Sequence, residues 1–332
     1  YTAQEAEDAV AAVSTAFQTA IKNAYADIED GKYYIQNTQS GQYLTSGANW
    51  GTRAVLYGMG LEYTFKKESD GKYTLISNIQ GEGKALRPSD GYNDQSGSWE
   101  ILKADNDELY LFNGSRFFCS ITSSADDSFS DTPCGWKLVT EAERKALVNG
   151  VDENVDATIF INDADCAYNL FGTKWQNKGT CKYEGGLVSN NNVEFFNAKK
   201  FDMYQELTGL PTGYYKLTMR GFTRDGDAKK ALAAYEAGNE NLAVFYAGEK
   251  EVPLQSVFVD QKTAADGGWA SNLSEKYYIP NSVGQAAECF AAGGYLNTID
   301  EILVTDGTLK IGVKFDVENA NGNNWTMVDD FR

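Results

Sequence analysis

The sequence predicts an all-β fold, a β-trefoil followed by a β-sandwich, with an N-terminal helix and a short linker helix. The first observation is a pattern repeated three times at a period of about 40 residues, the signature of units that share one core. Its units open at Gly31 (GKYYIQN), Gly71 (GKYTLISN) and Asp107 (DELYLFN). Their middles are Gly41-Gln-Tyr-Leu44, Gly83-Lys-Ala-Leu86 and Arg116-Phe-Phe-Cys119, and they close at Tyr63-Thr-Phe65, Ser98-Trp-Glu100 and Gly135-Trp-Lys137. Short aromatic strands of this kind cannot bury their own apolar faces, so the three units must pack together. Phe65, Trp99 and Trp136 are expected at equivalent, buried positions.

The second observation is the change of pattern after residue 156. Thr158–Ile161, Tyr214–Phe222, Asn241–Tyr246, Val257–Val259 and Thr308–Phe315 alternate apolar and polar residues or form β-branched runs, fed by turn signals at Leu210-Pro-Thr-Gly213 and Asp306-Gly307. Many strands with little helix read as a sandwich. Ala228 to Ala237 fits one or two helical turns within a loop.

The third observation is a pair of capping boxes. Thr2-Ala-Gln-Glu5 starts an amphipathic helix running to about Asp30, its stripe Val10, Val13, Phe17, Ile21 and Ile28 needing something to cover it. Thr140-Glu-Ala-Glu143 starts a short helix ahead of the acidic run Asp152–Asp156. The expected units are an N-terminal amphipathic helix (1–30), a trefoil domain (31–139), a helical linker (140–156) and a sandwich domain (157–332).

Composition narrows the partners. The 332 residues are 42% hydrophobic and 13% aromatic, enough for two cores. The net charge of −18, from 47 acidic against 29 basic residues, opposes nucleic acid and anionic membranes, whose binding needs Lys and Arg. No run approaches the ~20 apolar residues of a membrane span, so membrane insertion is not expected. A start at Tyr1 without Met or a signal peptide, and an end in a strand-like run at Phe331-Arg332, lead us to expect an excised piece of a larger multidomain protein.

The chain has no histidine. Ser-His-Asp and Cys-His catalysis, His-ligated zinc and imidazole proton shuttles therefore fall away. Carboxylate glycoside hydrolysis survives, but no acid pair is visible in an aromatic cleft. Asp329-Asp330 and Asp126-Asp127 are adjacent, so in a strand they face opposite ways and in a loop they are solvated. Cys119 and Cys134 flank one polar segment, Cys166 and Cys181 another, and Cys289 is left over. Four of the five could form two disulfides in an oxidising compartment; buried structural thiols are the favoured reading.

Several segments recur in the order of a known family. Leu210-Pro-Thr-Gly-Tyr-Tyr-Lys-Leu-Thr-Met-Arg-Gly-Phe222, Tyr278-Ile-Pro-Asn-Ser282, Gly294-Tyr-Leu-Asn297, Asp306–Gly312 and Asn324-Trp-Thr-Met-Val-Asp-Asp-Phe-Arg332 resemble galactose-binding-like jelly rolls of large secreted or cell-surface Bacteroidetes proteins. The resemblance covers most of 156–332 and implies a jelly roll, with glycan binding or a spacer role. The first region more weakly resembles ricin-type lectin domains, departing from them where Thr45 and Arg87 follow Leu44 and Leu86 in place of a sugar-binding Asp. The jelly-roll resemblance further implies a structural Ca²⁺ where first and last strands meet, with Asp163 or Asp165 and Asp329 as ligands; solvated carboxylates are the alternative.

A glycan site asks for an exposed aromatic against a pyranose face, with amides, Asp or Arg on its hydroxyls. Trp50 lies in a loop-like Ser-Gly-Ala-Asn-Trp-Gly setting, Tyr92 has Asn93 beside it, and Trp269 follows Gly267-Gly268 with Arg224 and Asp225 leaving a strand end. Trp99, Trp136 and Trp325 read as core, and Trp175 as a cover for the sandwich end. The expected function is non-catalytic glycan binding by an accessory region, secreted or displayed on a bacterial outer membrane, with no enzyme activity. The alternatives are a spacer or protein-interaction region and a carboxylate-dependent glycoside hydrolase.

Overall fold

The computed structural model describes residues 2–47, 53–57, 59–77, 83–88, 91–93, 97–119, 128–148, 154–166, 175–177, 180–183, 191–259, 271–272, 278–317 and 322–332. The chain is mostly β-sheet with few helices. Helix α1 spans Ala3–Ala24 and opens on the expected box, Thr2 Oγ1 accepting from the Glu5 N–H and the Thr2 N–H donating to Glu5 Oε2. It ends short of Asp30 because the backbone at Tyr25 and Ala26 joins the strands, bridging to Leu102 and donating to the Ile101 carbonyl. Val10 and Val13 are 71% and 70% exposed, so these two residues of the stripe do not pack on the strands.

Strands β1 (Gly31–Asn37), β2 (Tyr43–Gly47), β3 (Arg53–Tyr57), β4 (Glu62–Lys67), β5 (Tyr73–Ser77), β6 (Lys84–Arg87), β7 (Gly91–Asn93), β8 (Ser98–Lys103), β9 (Leu109–Phe112), β10 (Phe117–Phe118), β11 (Phe129–Ser130) and β12 (Trp136–Val139) follow. Antiparallel pairings β1·β4, β4·β5, β5·β8, β8·β9, β9·β12 and β12·β1 close a ring. Hairpins β2–β3, β6–β7 and β10–β11 branch from it.

The register repeats with the sequence pattern. Tyr33 faces Tyr63, Tyr73 faces Trp99, and Leu109 faces Trp136. Phe65, Trp99 and Trp136 are all buried as expected, but the residue equivalent to the two tryptophans is Tyr63, because closing strands are aligned by their ladder partners and not by ring size. The indole N–H groups of Trp99 and Trp136 donate to the carbonyls of Leu86 and Phe118, and the Tyr63 hydroxyl points at the corresponding carbonyl of Leu44 from 3.5 Å. A Cys119–Cys134 disulfide ties the third hairpin to β12, correcting the structural-thiol reading for that pair. Cys166 and Cys289 are buried.

Helix α2 (Glu141–Ala146) starts on the Thr140–Glu143 capping box. From it Arg144, 7% exposed, is wedged between the rings of Tyr34 and Tyr43 at 4.5 and 3.9 Å and donates through Nη1 to the Met59 carbonyl. Burial lowers the guanidinium pKa, so cation–π contact and this hydrogen bond compensate the lost hydration. Thr158–Phe160 forms a 3₁₀ turn where a strand was expected, its apolar side chains buried without a ladder.

The later strands are β13 (Thr180–Tyr183), β14 (Asn191–Phe196), β15 (Lys200–Thr208), β16 (Gly213–Arg224), β17 (Val244–Ala247), β18 (Lys250–Pro253), β19 (Gln255–Ser256), β20 (Ser271–Asn272), β21 (Tyr278–Ile279), β22 (Leu296–Val304), β23 (Thr308–Asp316) and β24 (Trp325–Asp329). One sheet orders β13-β14-β24-β16-β19 with β22 also on β16, and a second orders β15-β23-β17-β18. Val193, Met219, Ile299 and Val328 from the first meet Met203, Phe245, Val313 and Phe315 from the second in one apolar cluster. This is a sandwich. Tyr34, Met59 and Val148 belong to the same cluster, so apolar packing continues across α2.

Helices α3 (Ala228–Ala237) and α4 (Val283–Ala291) cover another face of the first sheet, where Phe222, Phe258, Ala286, Phe290, Tyr295 and Trp325 pack. Asp227 caps α3 by accepting from the Lys229 and Lys230 N–H groups, and Gly238 ends it at φ 67°. Val257 to Val259 form a turn instead of a strand. On the far side of β22, Lys250 Nζ donates to the carbonyls of Asp300 and Glu301, and Gln255 Nε2 to that of Leu296. Among the described residues no helix is long and apolar enough to cross a membrane.

Candidate functional site

Sheet geometry decides what each polar residue can do. β16 runs between β22 and β24, so its C-terminal end carries Arg224 and Asp225 to the rim of the sandwich beside Trp325, the residue registered opposite Arg224. The rim is extended by Asn281, which immediately precedes the N-cap Ser282 of α4 and is fixed by donating its N–H to Gln285 Oε1.

Arg224 is 8% exposed. Its guanidinium lies 5.1 Å from the centre of the Trp325 ring and donates through Nη1 to Asn281 Oδ1, while Nε is buried without a hydrogen-bond partner. Burial lowers its pKa, with Asp227 acting in the other direction. Trp325 is itself fixed, donating its indole N–H to Glu194 Oε1 and meeting Phe222 edge-on. Asp225 is fully buried, with Oδ2 accepting from the N–H and Nδ2 of Asn241. Nearby, Glu240 accepts from the Ser256 hydroxyl, and burial raises its pKa.

Of the residues the sequence suggested for a ligand, Arg224 and Asp225 come together here. Trp269 and Trp50 lie outside the described residues. Asn93 ends β7, its side chain outside the described set. Tyr92 is a correction: expected in an exposed loop, it is buried in β7, shares a hydrogen bond with the Tyr63 hydroxyl and donates to the Thr45 carbonyl. Its alternation within a three-residue strand turns the ring inward. Asn281, Asn241 and Trp325 were missed as site neighbours. Asn281 alone carried a local signal, its place just before a Ser that can cap a helix.

The residues suggested for calcium form a second cluster. Phe331 donates its N–H to the Ala164 carbonyl, so the segments 162–166 and 329–332 lie side by side and Asp163, Asp165, Asp329 and Asp330 are all buried. Asp330 has φ 54°, just past the end of β24, and the burial of both acids corrects the expectation that they are solvated. Burial, then Asp163, pushes the Asp165 carboxyl up to about 6, and burial, then Asp330 and Asp165, raises Asp329 well above the carboxylate range. Asp329 Oδ2 has no hydrogen-bond partner. Arg332 pairs with Asp330 at 2.6 Å and Arg220 reaches it at 3.6 Å. Carboxylate oxygens are the right donors for a hard cation. Among the described residues, however, no three of them group closely enough to hold a metal ion. Trp175 covers this end as expected, its indole donating to the Asp163 carbonyl and its ring 4.6 Å from Phe331.

No family model matches the chain, and no curated protein matches it. Among solved structures it is similar to TmCBM61 in complex with beta-1,4-galactotriose, at 17% identity over 42% of this chain and 68% of that one, with a TM-score of 0.22. It is also similar to a Culex salivary protein of the Cysteine and Tryptophan-Rich family, at 16% identity over 35% of this chain and 98% of the other, with a TM-score of 0.28.

Proposed function

We propose that the chain is a non-catalytic glycan-binding region, its site at the rim formed by Arg224, Asp225, Asn281 and Trp325. The observation that carries the proposal is the buried Nε of Arg224, a donor with no partner beside an aromatic ring. A buried donor left unpaired costs about 1–3 kcal/mol, and a ligand hydroxyl placed against it recovers that cost. The exposed amide of Asn281, whose Oδ1 already accepts from Arg224, offers its Nδ2 as a donor to a further hydroxyl. Trp269, the aromatic that the sequence suggests for this role, is the proposed stacking partner.

The proposal takes the closed ring with its three branching hairpins as a β-trefoil and the two facing sheets as a galactose-binding-like jelly roll. It places the chain in a larger protein on a cell surface or in a secreted form. Ca²⁺ is proposed where Asp163 or Asp165 meets Asp329, with backbone carbonyls completing its shell, on the strength of the orphaned Asp329 Oδ2.

Calorimetry of the intact chain against neutral plant and mucin oligosaccharides tests the function. Saturable binding that Arg224→Ala and Trp269→Ala each weaken at least tenfold, roughly 1.4 kcal/mol, with little dependence on salt, is the expected result. A chain that binds none of them is a spacer or an interaction region. Release of reducing sugar would replace the proposal with a glycosidase.

A further inference from the structure

A polar groove of about 440 Å³ lies between α2 and the sandwich, away from the Arg224 rim. Its floor is a backbone bridge in which Gln176 and Tyr204 exchange hydrogen bonds, at 2.7 and 3.2 Å. Phe160 and Tyr204 give it aromatic character; Asn162 and Gln176 add amides, Glu141 and Glu206 carboxylates. The wall is built rigidly. Buried Gln205 locks Asn162 by accepting from its N–H and Nδ2 and donating to its carbonyl. Lys310 sits 3.9 Å from the centre of the Tyr204 ring and 3.4 Å from Asp202, fixing the ring's orientation. The α2 wall is set by the Arg144 wedge described above.

We propose that this groove is a second carbohydrate subsite, taking a stretch of a neutral, extended glycan chain. The volume lies in the range of ligand sites, roughly 300–1,000 Å³. Its lining is too polar for an apolar ligand. Two carboxylates against one ammonium, with Glu141 already paired to Lys145 at 2.6 Å, offer nothing to a polyanion. Amides, carboxylates and two ring edges are what remains, and they match hydroxyls and the apolar patches of pyranose rings. For a polymer long enough to span the rim and the groove, the second contact becomes intramolecular.

The inference rests on the glycan-binding reading, and its test separates the two. Gln176→Trp fills the groove from an exposed position without removing the backbone bridge, and Tyr204→Ala empties it. The intact chain is expected to bind a neutral soluble polysaccharide about tenfold or more tightly than a short oligosaccharide of the same sugar. Both groove variants should remove that advantage and leave oligosaccharide binding at the rim unchanged, while Arg224→Ala removes rim binding. Groove variants that keep the full polysaccharide affinity overturn the second subsite alone. An intact chain that binds neither form overturns both proposals.

Discussion

Trp99 donates its indole N–H to the Leu86 carbonyl at 2.8 Å, and the bond recurs one repeat later between Trp136 and Phe118. Each closing strand is thereby fastened to the hairpin of its own repeat from inside the core. Trp99→Phe keeps most of the ring volume but leaves the Leu86 carbonyl buried without its donor. It should lower unfolding free energy by about 1–3 kcal/mol in urea titration, with Trp136→Phe behaving alike. A change within error for both would mean the bonds are dispensable.

Arg144 makes a sharper test of how the two β regions are coupled. With Tyr34 and Tyr43 on its faces and the Met59 carbonyl on Nη1, Arg144→Ala opens a cavity and leaves that carbonyl unpaired, at a cost of about 2–4 kcal/mol. Calorimetric melting should then resolve two transitions where the native chain shows closer coupling. Arg144→Lys should fall near Ala, since an ammonium has neither the planar face nor the fork. Full rescue by Lys would reduce the wedge to simple charge.

The acid cluster predicts an unusual pH dependence. Asp165, pushed up to about 6, holds its proton in the folded chain where the unfolded chain has lost it. Its contribution is therefore fully present below about pH 4 and lost as pH rises through about 6, on the order of 3 kcal/mol in all. Asp329 acts in the same direction, while Arg332 opposes both shifts by favouring the ionised forms. Melting between pH 4.5 and 7.5 should show the native chain gaining less stability with rising pH than Asp165→Asn does. Parallel curves would place the protonation elsewhere.

The proposed calcium acts where the proton is lost. At pH 7.5 a hundredfold excess of free ion over its dissociation constant should stabilise by about 2.7 kcal/mol, and a chelator should remove that gain. Melting curves that superpose in calcium and in chelator would sink the calcium proposal.

Local patterns made much of the fold legible. The threefold period, both capping boxes and the strand at Thr308–Phe315 are short-range signals, and the structure carries each of them. Thr158–Ile161 was misjudged because a short apolar run reads alike as buried strand or buried turn. Tyr63 was passed over for Phe65 because ladder register, which fixes equivalence, is a long-range property. Helix α4 was absent from the reading although Ser282 and the spacing of Val283, Ala286, Ala287 and Phe290 announce it. The site was less visible. Arg224 and Asp225 stood out as charges leaving a strand, but Asn281 and Trp325 reach them across more than fifty residues of chain, and only the folded sheet brings them together.

Lys250 on the flank of β22 has a consequence for handling the protein. A sheet edge with free carbonyls is a template for another molecule's strand, and here one ammonium occupies two of them while Gln255 takes a third. Acetylating or replacing that lysine would uncover hydrogen-bond acceptors next to Leu303, which is 55% exposed. Lys250 and Gln255 together therefore keep this edge from offering those carbonyls to a neighbouring molecule's strand.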